Sequence, residues 1–274
     1  MKKIIICLFL SVGLSGCHIY RAYERPDEVV ADSLYRQSVA AEDTVSLASL
    51  SWKELFSDPQ LQQLIETGIA NNTDLNIARL KVKEVEALLL SSKLAYLPSV
   101  SLTPQGTLSS VDGSKTSKTY DLAASADWEL DIFGKLTNAK RGVKAALEQS
   151  EAYRQAVQTQ LVATIANSYY TLLMLDKQLD ITRRTAETWD ENLRAMKALK
   201  RAGQTTEMAV AQTEASKLSV DASVLSIEQQ ISEMENSLSA LLGMAPQLIT
   251  RSTLDNQRFP ESLSTGVPLQ LLHR

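Results

Sequence analysis

The spacing of apolar positions changes character along this chain, from helical to alternating and back to helical. Ser57-Asp58-Pro59 opens the first helical stretch, with Asp58 suited to cap and Pro59 to the first helical position. Leu61, Leu64, Ile65 and Ile69 then share one face until Asn71-Asn72. A second helix opens at Thr73 or Asp74 and runs through Leu75, Ala78, Val82, Val85, Leu89 and Tyr96 to Leu97-Pro98. Its length is about 24 residues, or roughly 36 Å.

Beyond Pro98 the period becomes two. Val100, Leu102, Gly106 and Leu108 alternate with Ser99, Ser101, Thr103, Gln105 and Thr107, and Pro104 weakens the pattern. A cleaner run follows the polar stretch Val111 to Lys118: Tyr120, Leu122, Ala124, Ala126, Trp128 and Leu130 share one face, and Thr119, Asp121, Ala123, Ser125, Asp127, Glu129 and Asp131 the other. These runs predict a β-hairpin. Each is long enough to cross a bilayer, which takes about 9 to 11 tilted residues. Tyr120 and Trp128 lie roughly 27 Å apart along such a strand, approaching the separation of two aromatic girdles. A half-buried hairpin of a soluble sheet shows the same alternation. The carboxylates Asp121, Asp127, Glu129 and Asp131 on the polar face suit a water-filled lumen, where they would favour cations or simply hydrate the wall.

After Gly134 comes the longest periodic segment. Leu161, Ile165, Ser168, Leu172, Leu175, Leu179, Thr182, Ala186, Trp189, Leu193 and Met196 follow four-three spacing, which Val143, Leu147, Ser150, Arg154 and Val157 extend upstream. A helix from Lys135 to Ala202 would rise roughly 100 Å, and its repeat marks coiled-coil packing. Gly203 interrupts it and Thr205-Thr206-Glu207 restarts a helix. Val220, Val224, Ile227, Ile231, Met234, Leu238 and Leu241 then form a second seam, closed by Gly243-Met244-Ala245-Pro246. Abundant Ala, Ser and Thr elsewhere on these helices permit neighbours on several sides, as in a helical wall. A long solvent-exposed dimeric coiled coil fits the periodicity as well.

The N-terminus places this architecture outside the cytoplasm. Lys2 and Lys3 precede an apolar run from Ile4 to Val12, too short to span a membrane permanently, and Leu14-Ser15-Gly16-Cys17 follows. This order reads as a signal peptide, and its end resembles the lipobox of bacterial lipoproteins, in which Cys17 is acylated and becomes the first mature residue. The alternative is an ordinary secreted protein with a cysteine near its cleavage site. His18 stands where an acidic residue would be the usual inner-membrane retention cue, which favours the outer membrane.

Cleavage would remove Cys7, so the mature chain could form no intramolecular disulfide. It would also leave 28 − 2 = 26 basic against 32 acidic side chains, a net charge of −6 that argues against a nucleic-acid partner. With His18 and His273 the only histidines, no metal cluster can be assembled from them, and no G-x-S-x-G, phosphate-cradling glycine loop or H-E-x-x-H occurs. Neither a cofactor nor an enzymatic reaction is expected.

Several landmarks occur in a recognisable order: Trp52 with Phe56-x-Asp58-Pro59-x-Leu61, Asn72-x-Asp74-Leu75, Leu97-Pro98 before a strand, and Trp128-Glu129-Leu130-Asp131-Ile132-Phe133-Gly134. Ala166-x-x-Tyr169, Gly203 at a helix break and Leu241-Leu242-Gly243-x-x-Pro246 continue it. The chain resembles the TolC/OprM-type outer-membrane efflux lipoproteins, with the Trp128 to Gly134 run the most specific part. The resemblance implies a mainly α protein with a transmembrane β-hairpin: a long coiled-coil helical hairpin of an α-barrel plus two strands of an outer-membrane β-barrel.

It further implies a passive duct for drugs or other small solutes, trimeric in the complete family protein, joined by a periplasmic adaptor to an inner-membrane pump. The lipid-facing side would carry Tyr120, Leu122, Ala124, Ala126, Trp128 and Leu130. The adaptor would dock at the tip formed by Arg201, Ala202, Gly203, Gln204, Thr205 and Thr206, where Ala209 replaces an aspartate common in the family.

The resemblance runs from Trp52 to Arg274 and covers the first of the family's two structural halves. A fragment, a truncated gene product or one part of a split protein is therefore expected, and a hexamer of this half is one way to supply twelve strands. The expected divisions are a signal peptide (1–16), a lipidated tether (17–51), periplasmic helices (52–98), the transmembrane hairpin (99–134), the long helical hairpin (135–245) and a linker toward a second repeat (246–274). A non-conducting periplasmic scaffold and a type I secretion exit duct are the competing readings.

Overall fold

The computed structural model describes residues 51–110, 115 and 117–258. The expectations for the signal peptide, Cys17, most of the tether and the chain after Arg258 lie outside the described residues. Among the described residues, three helices precede the hairpin: α1 (Trp52–Leu55), α2 (Pro59–Asn71) and α3 (Thr73–Leu94). Strands β1 (Ser99–Ser109) and β2 (Ser117–Asp127) follow, then α4 (Lys135–Arg201), α5 (Glu207–Leu241) and a 3-10 turn at Leu254–Asn256.

Local chemistry sets the boundaries. Ser51 and Glu54 form a reciprocal capping box on α1. Asp58 caps α2 by accepting the Gln60 amide at 2.9 Å, with Pro59 beginning the helix where its missing N–H costs nothing. Both long helices end alike. Gly203 adopts φ +73° and Gly243 φ +67°. The following amides, of Gln204 and Met244, donate to the Leu199 and Ser239 carbonyls, each at 2.9 Å. This pattern satisfies carbonyls that would otherwise lack partners, and it needs a residue free to take positive φ.

The chain forms two compact units. Among the described residues, one comprises 81–151, which includes the hairpin, and the other 51–80 with 152–258. The core of the second unit gathers Leu61 and Ile65 from α2, Leu75 from α3, Leu161, Ile165, Tyr169 and Leu172 from α4, Leu238 from α5, and Leu242 and Ile249 after it. On α4 the expected four-three seam is joined here by Val162, Ala166 and Leu173, which widen it into a double stripe. This stripe meets α2, where Gly68 brings the helix so close that a Cβ would lie 2.4 Å from Ile165 Cδ1.

Further toward the C-terminus, α4 pairs with α5 through a single seam. Ion pairs from Arg183 to Glu228, 2.7 Å, and Lys197 to Glu214, 3.4 Å, link the antiparallel helices. Every position of the expected α5 seam, Val220 through Leu241, is buried or half-buried.

The segment expected as the start of a linker is instead packed. Ile249 is buried, and Arg251 makes a two-pronged contact with Asp176 and a second ion pair with Glu235. Its guanidinium pKa is pushed upward, first by the Asp176 hydrogen bonds and then by Glu235, while burial opposes the shift.

Candidate functional site

The hairpin register brings the two apolar sets onto one face. Val100 stands opposite Ala126, Leu102 opposite Ala124, Pro104 opposite Leu122 and Gly106 opposite Tyr120. The other face pairs Ser99 with Asp127, Ser101 with Ser125, Thr103 with Ala123 and Gln105 with Asp121. A Ser101–Ser125 hydroxyl hydrogen bond of 2.7 Å crosses it. A register shifted by one would have mixed the faces.

Both faces are exposed along all positions of both strands, Tyr120 at 77% and Leu122 at 72%. Each strand has one neighbour among the described residues, so each has an unpaired outer edge. No helix among the described residues is long and apolar enough to cross a membrane.

At its base the hairpin departs from the expected alternation. Strand β2 ends at Asp127, so Trp128, Glu129, Leu130 and Asp131 do not continue the strand's two faces. The cause is the start of α4. Asp131 accepts the Leu136 and Thr137 amides, both at 2.9 Å, and the Thr137 hydroxyl at 2.6 Å. Its carboxyl pKa is lowered chiefly by the Thr137 hydroxyl; desolvation opposes the shift, and the backbone amides add to the lowering. Gly134 turns the chain at φ +74°, and Glu129 pairs with Lys135 at 2.7 Å. The Trp128 to Gly134 run is thus a strand-to-helix junction. Trp128 donates its indole N–H to the Tyr96 carbonyl at 3.1 Å, tying it to the end of the preceding helix.

The second candidate region is the turn between α4 and α5. Arg201, Ala202, Gly203 and Gln204 are exposed, as is Thr206, and Thr205 is half-buried. A Cβ on Gly203 would meet nothing within 4 Å, so backbone conformation alone asks for glycine. Thr206 caps α5 by accepting the Ala209 amide, so capping does not need an aspartate at 209. Arg194, Lys197, Lys200 and Arg201 of α4 line a groove of about 640 Å³ with Glu207, Val210 and Glu214 of α5. Lys200 pairs with Glu207 across the turn.

The landmarks that carried the resemblance meet one another. Tyr169, fully buried, donates its hydroxyl to Asp58 at 2.7 Å, and Asp58 also accepts from Ser252 and from Gln257 at 2.9 Å. Burial works against the Asp58 charge, but these hydrogen bonds and the Gln60 amide outweigh it and lower its pKa to about 2. Asn72 donates its side-chain amide to the Leu241 carbonyl at 3.0 Å and accepts the Leu75 amide at 3.0 Å. Sequence reasoning read Asp58 as a cap and missed Ser252, Gln257 and the Arg251–Asp176–Glu235 cluster, because the segment after Pro246 has no period to announce packing.

A family model described as outer membrane efflux protein matches residues 64–244, well over half of the sequence. The chain belongs to that family. It is 28% identical over 290 aligned positions to the probable efflux pump outer membrane protein TtgC of Pseudomonas putida, covering 100% of this chain and 59% of that protein. It is 30% identical over 204 positions to the probable outer membrane lipoprotein SilC of Salmonella typhimurium, covering 73% of this chain and 44% of SilC.

Among solved structures, the outer-membrane channel OprN aligns with a TM-score of 0.76 at 26% identity, over 94% of this chain and 59% of OprN. The chain thus spans about three-fifths of the length of TtgC and OprN. The expected family and the helical fold with a two-stranded antiparallel sheet both agree with these findings.

Proposed function

We propose that this chain contributes to a passive outer-membrane conduit for small-solute efflux, with no chemistry of its own. The observation that carries the reading is the hairpin: eleven-residue strands in register, apolar on one face and polar on the other, with neither face covered. Lipid on the apolar side and water on the polar side satisfy such a surface. Backbone groups at the two outer edges require further strands before the hairpin can stand in hydrocarbon, so the functional unit is an assembly that closes a barrel, a trimer in complete relatives. A periplasmic scaffold accounts for the α4–α5 seam but leaves Val100, Leu102, Tyr120 and Leu122 facing water.

In this reading Cys17 carries the lipid anchor, Tyr120, Leu122, Ala124 and Ala126 face lipid, and Asp121 and Asp127 face the lumen. The Arg201 to Thr206 turn meets a periplasmic adaptor that links the duct to an inner-membrane pump. The names of TtgC and SilC, an efflux pump component and an outer membrane lipoprotein, support the assignment.

The test is site-directed labelling of the full chain in outer membranes with a lipid-dissolved photoprobe. Cysteines at Leu122 and Ala126 should react, and those at Asp121 and Ser125 should react only with a water-soluble reagent. Equal labelling of both faces would refute the membrane assignment.

A further inference from the structure

The unit that contains the hairpin carries a second feature, just below the strand bases in sequence. A groove of about 610 Å³ lies between the last turns of α3 and the first turns of α4, with Leu89 and Leu147 among its lining residues. Lys93 contributes from α3, and Lys140, Arg141 and Lys144 from α4. Among the described residues, the ion pairs in this unit are Lys81–Glu84, Lys135–Glu129 and Lys144–Glu148, the last at 3.7 Å. Lys93, Lys140 and Arg141 therefore have no carboxylate partner among the described residues, and all three are exposed.

The groove's acidic residues, Glu148 and Glu151, lie later on α4, toward the end remote from the hairpin. Charge is thus graded along the groove, with the unpaired cations nearer the strands.

Depth relative to a membrane follows from the aromatic groups. Lys140 Nζ sits 5.5 Å from the centre of the Tyr96 ring, and Tyr96 holds Trp128 through its carbonyl. Trp and Tyr settle at the headgroup level of a bilayer. Lys140 and Arg141 follow the start of α4 by about 8 Å of helical rise, and the Lys140–Tyr96 and Tyr96–Trp128 contacts keep Lys140 beside these interfacial aromatic groups. Around the same base Leu94, Leu97, Ile132 and Phe133 are exposed and apolar, as expected of residues beside acyl chains.

We propose that this groove binds the headgroup of an anionic phospholipid from the periplasmic leaflet of the outer membrane. Lys93, Lys140 and Arg141 hold the phosphate, and the apolar lining lowers the local dielectric and strengthens the pairing. The proposal rests on the membrane reading of the hairpin, because only insertion brings a leaflet to this height.

The experiment uses the full chain in phosphatidylethanolamine vesicles containing about 20 mol % phosphatidylglycerol, with bound lipid counted by native mass spectrometry after gentle extraction. The triple variant K93Q/K140Q/R141Q is compared with K197Q/K200Q/R201Q, which removes as many charges from the tip. Retained phosphatidylglycerol should fall about tenfold in the first and stay unchanged in the second. Photoprobe labelling at Leu122 is read in the same samples. Labelling with undiminished phosphatidylglycerol in the groove variant overturns the lipid site and leaves the conduit standing. Absence of labelling in the wild-type chain overturns both. A changed oligomeric mass with unchanged lipid assigns the cations to a protein contact and also overturns the proposal.

Discussion

Asp58 and Ser252 are 194 positions apart, yet one carboxylate serves as helix cap, as partner of buried Tyr169 and as anchor for the returning chain. Because its pKa is about 2 against an ordinary 3.8, the folded state favours the charged form. A depressed carboxylate contributes stability that is full above the unfolded value and is lost as pH falls through the folded one. Unfolding followed in urea should therefore show stability declining between pH 4 and pH 2, with a contribution on the order of 2 kcal/mol. Asp58→Asn should lower stability at pH 7 and remove most of that slope; an unchanged slope would mean that another carboxylate is responsible.

The two C-capping glycines separate conformational from steric demand. Gly203→Ala meets open space and should cost about 1 kcal/mol, the penalty for left-handed backbone. Gly243→Ala should cost clearly more, since its Cβ would also lie 2.9 Å from the Asn71 carbonyl oxygen. Equal losses in thermal unfolding would refute the close approach.

At the scale of elements, the hairpin and the helix that follows it compete for the residues between them. The strand pattern alone runs on through Leu130, but the unsatisfied amides at the start of α4 recruit Asp131, and Gly134 turns the chain toward that helix. Asp131→Ala should speed amide exchange at Leu136 and Thr137 while leaving exchange within β2 unchanged. Protection lost along the whole strand would place Asp131 in the sheet after all. Register is open to a direct check, because Leu102 and Ala124 are cross-strand partners. Cysteines at these two positions should form a disulfide under mild oxidation, seen as a mobility shift without reductant, whereas Leu102 with Leu122 should crosslink far less. The reverse order would indicate a slipped register.

For the whole molecule, the distinguishing property is apolar surface without cover in a chain whose formal charge is −4. Leu122→Lys puts a charge near the middle of the apolar strand face and should oppose insertion by about 2–4 kcal/mol, whereas Asp121→Lys on the other face should not. Fractionation of outer membranes, with the amount of each variant resistant to alkaline extraction, distinguishes the two; equal recovery would mean that no bilayer contacts Leu122.

Much of this was legible along the chain, because α2, α3, both strands, α4 and α5 each repeat a short-range period that one strip of sequence displays in full. Residue order alone determined the alternating faces of the hairpin, the α5 seam and the two glycine stops, all of which depend on spacing and local backbone sterics. Only the tertiary structure decided that Asp58 meets Tyr169 and Ser252, that Arg251 bridges Asp176 and Glu235, and that Lys93 lines a groove with Lys140 and Arg141. Those contacts join distant segments through single polar side chains, and a lone polar residue carries no periodicity from which its partner can be read.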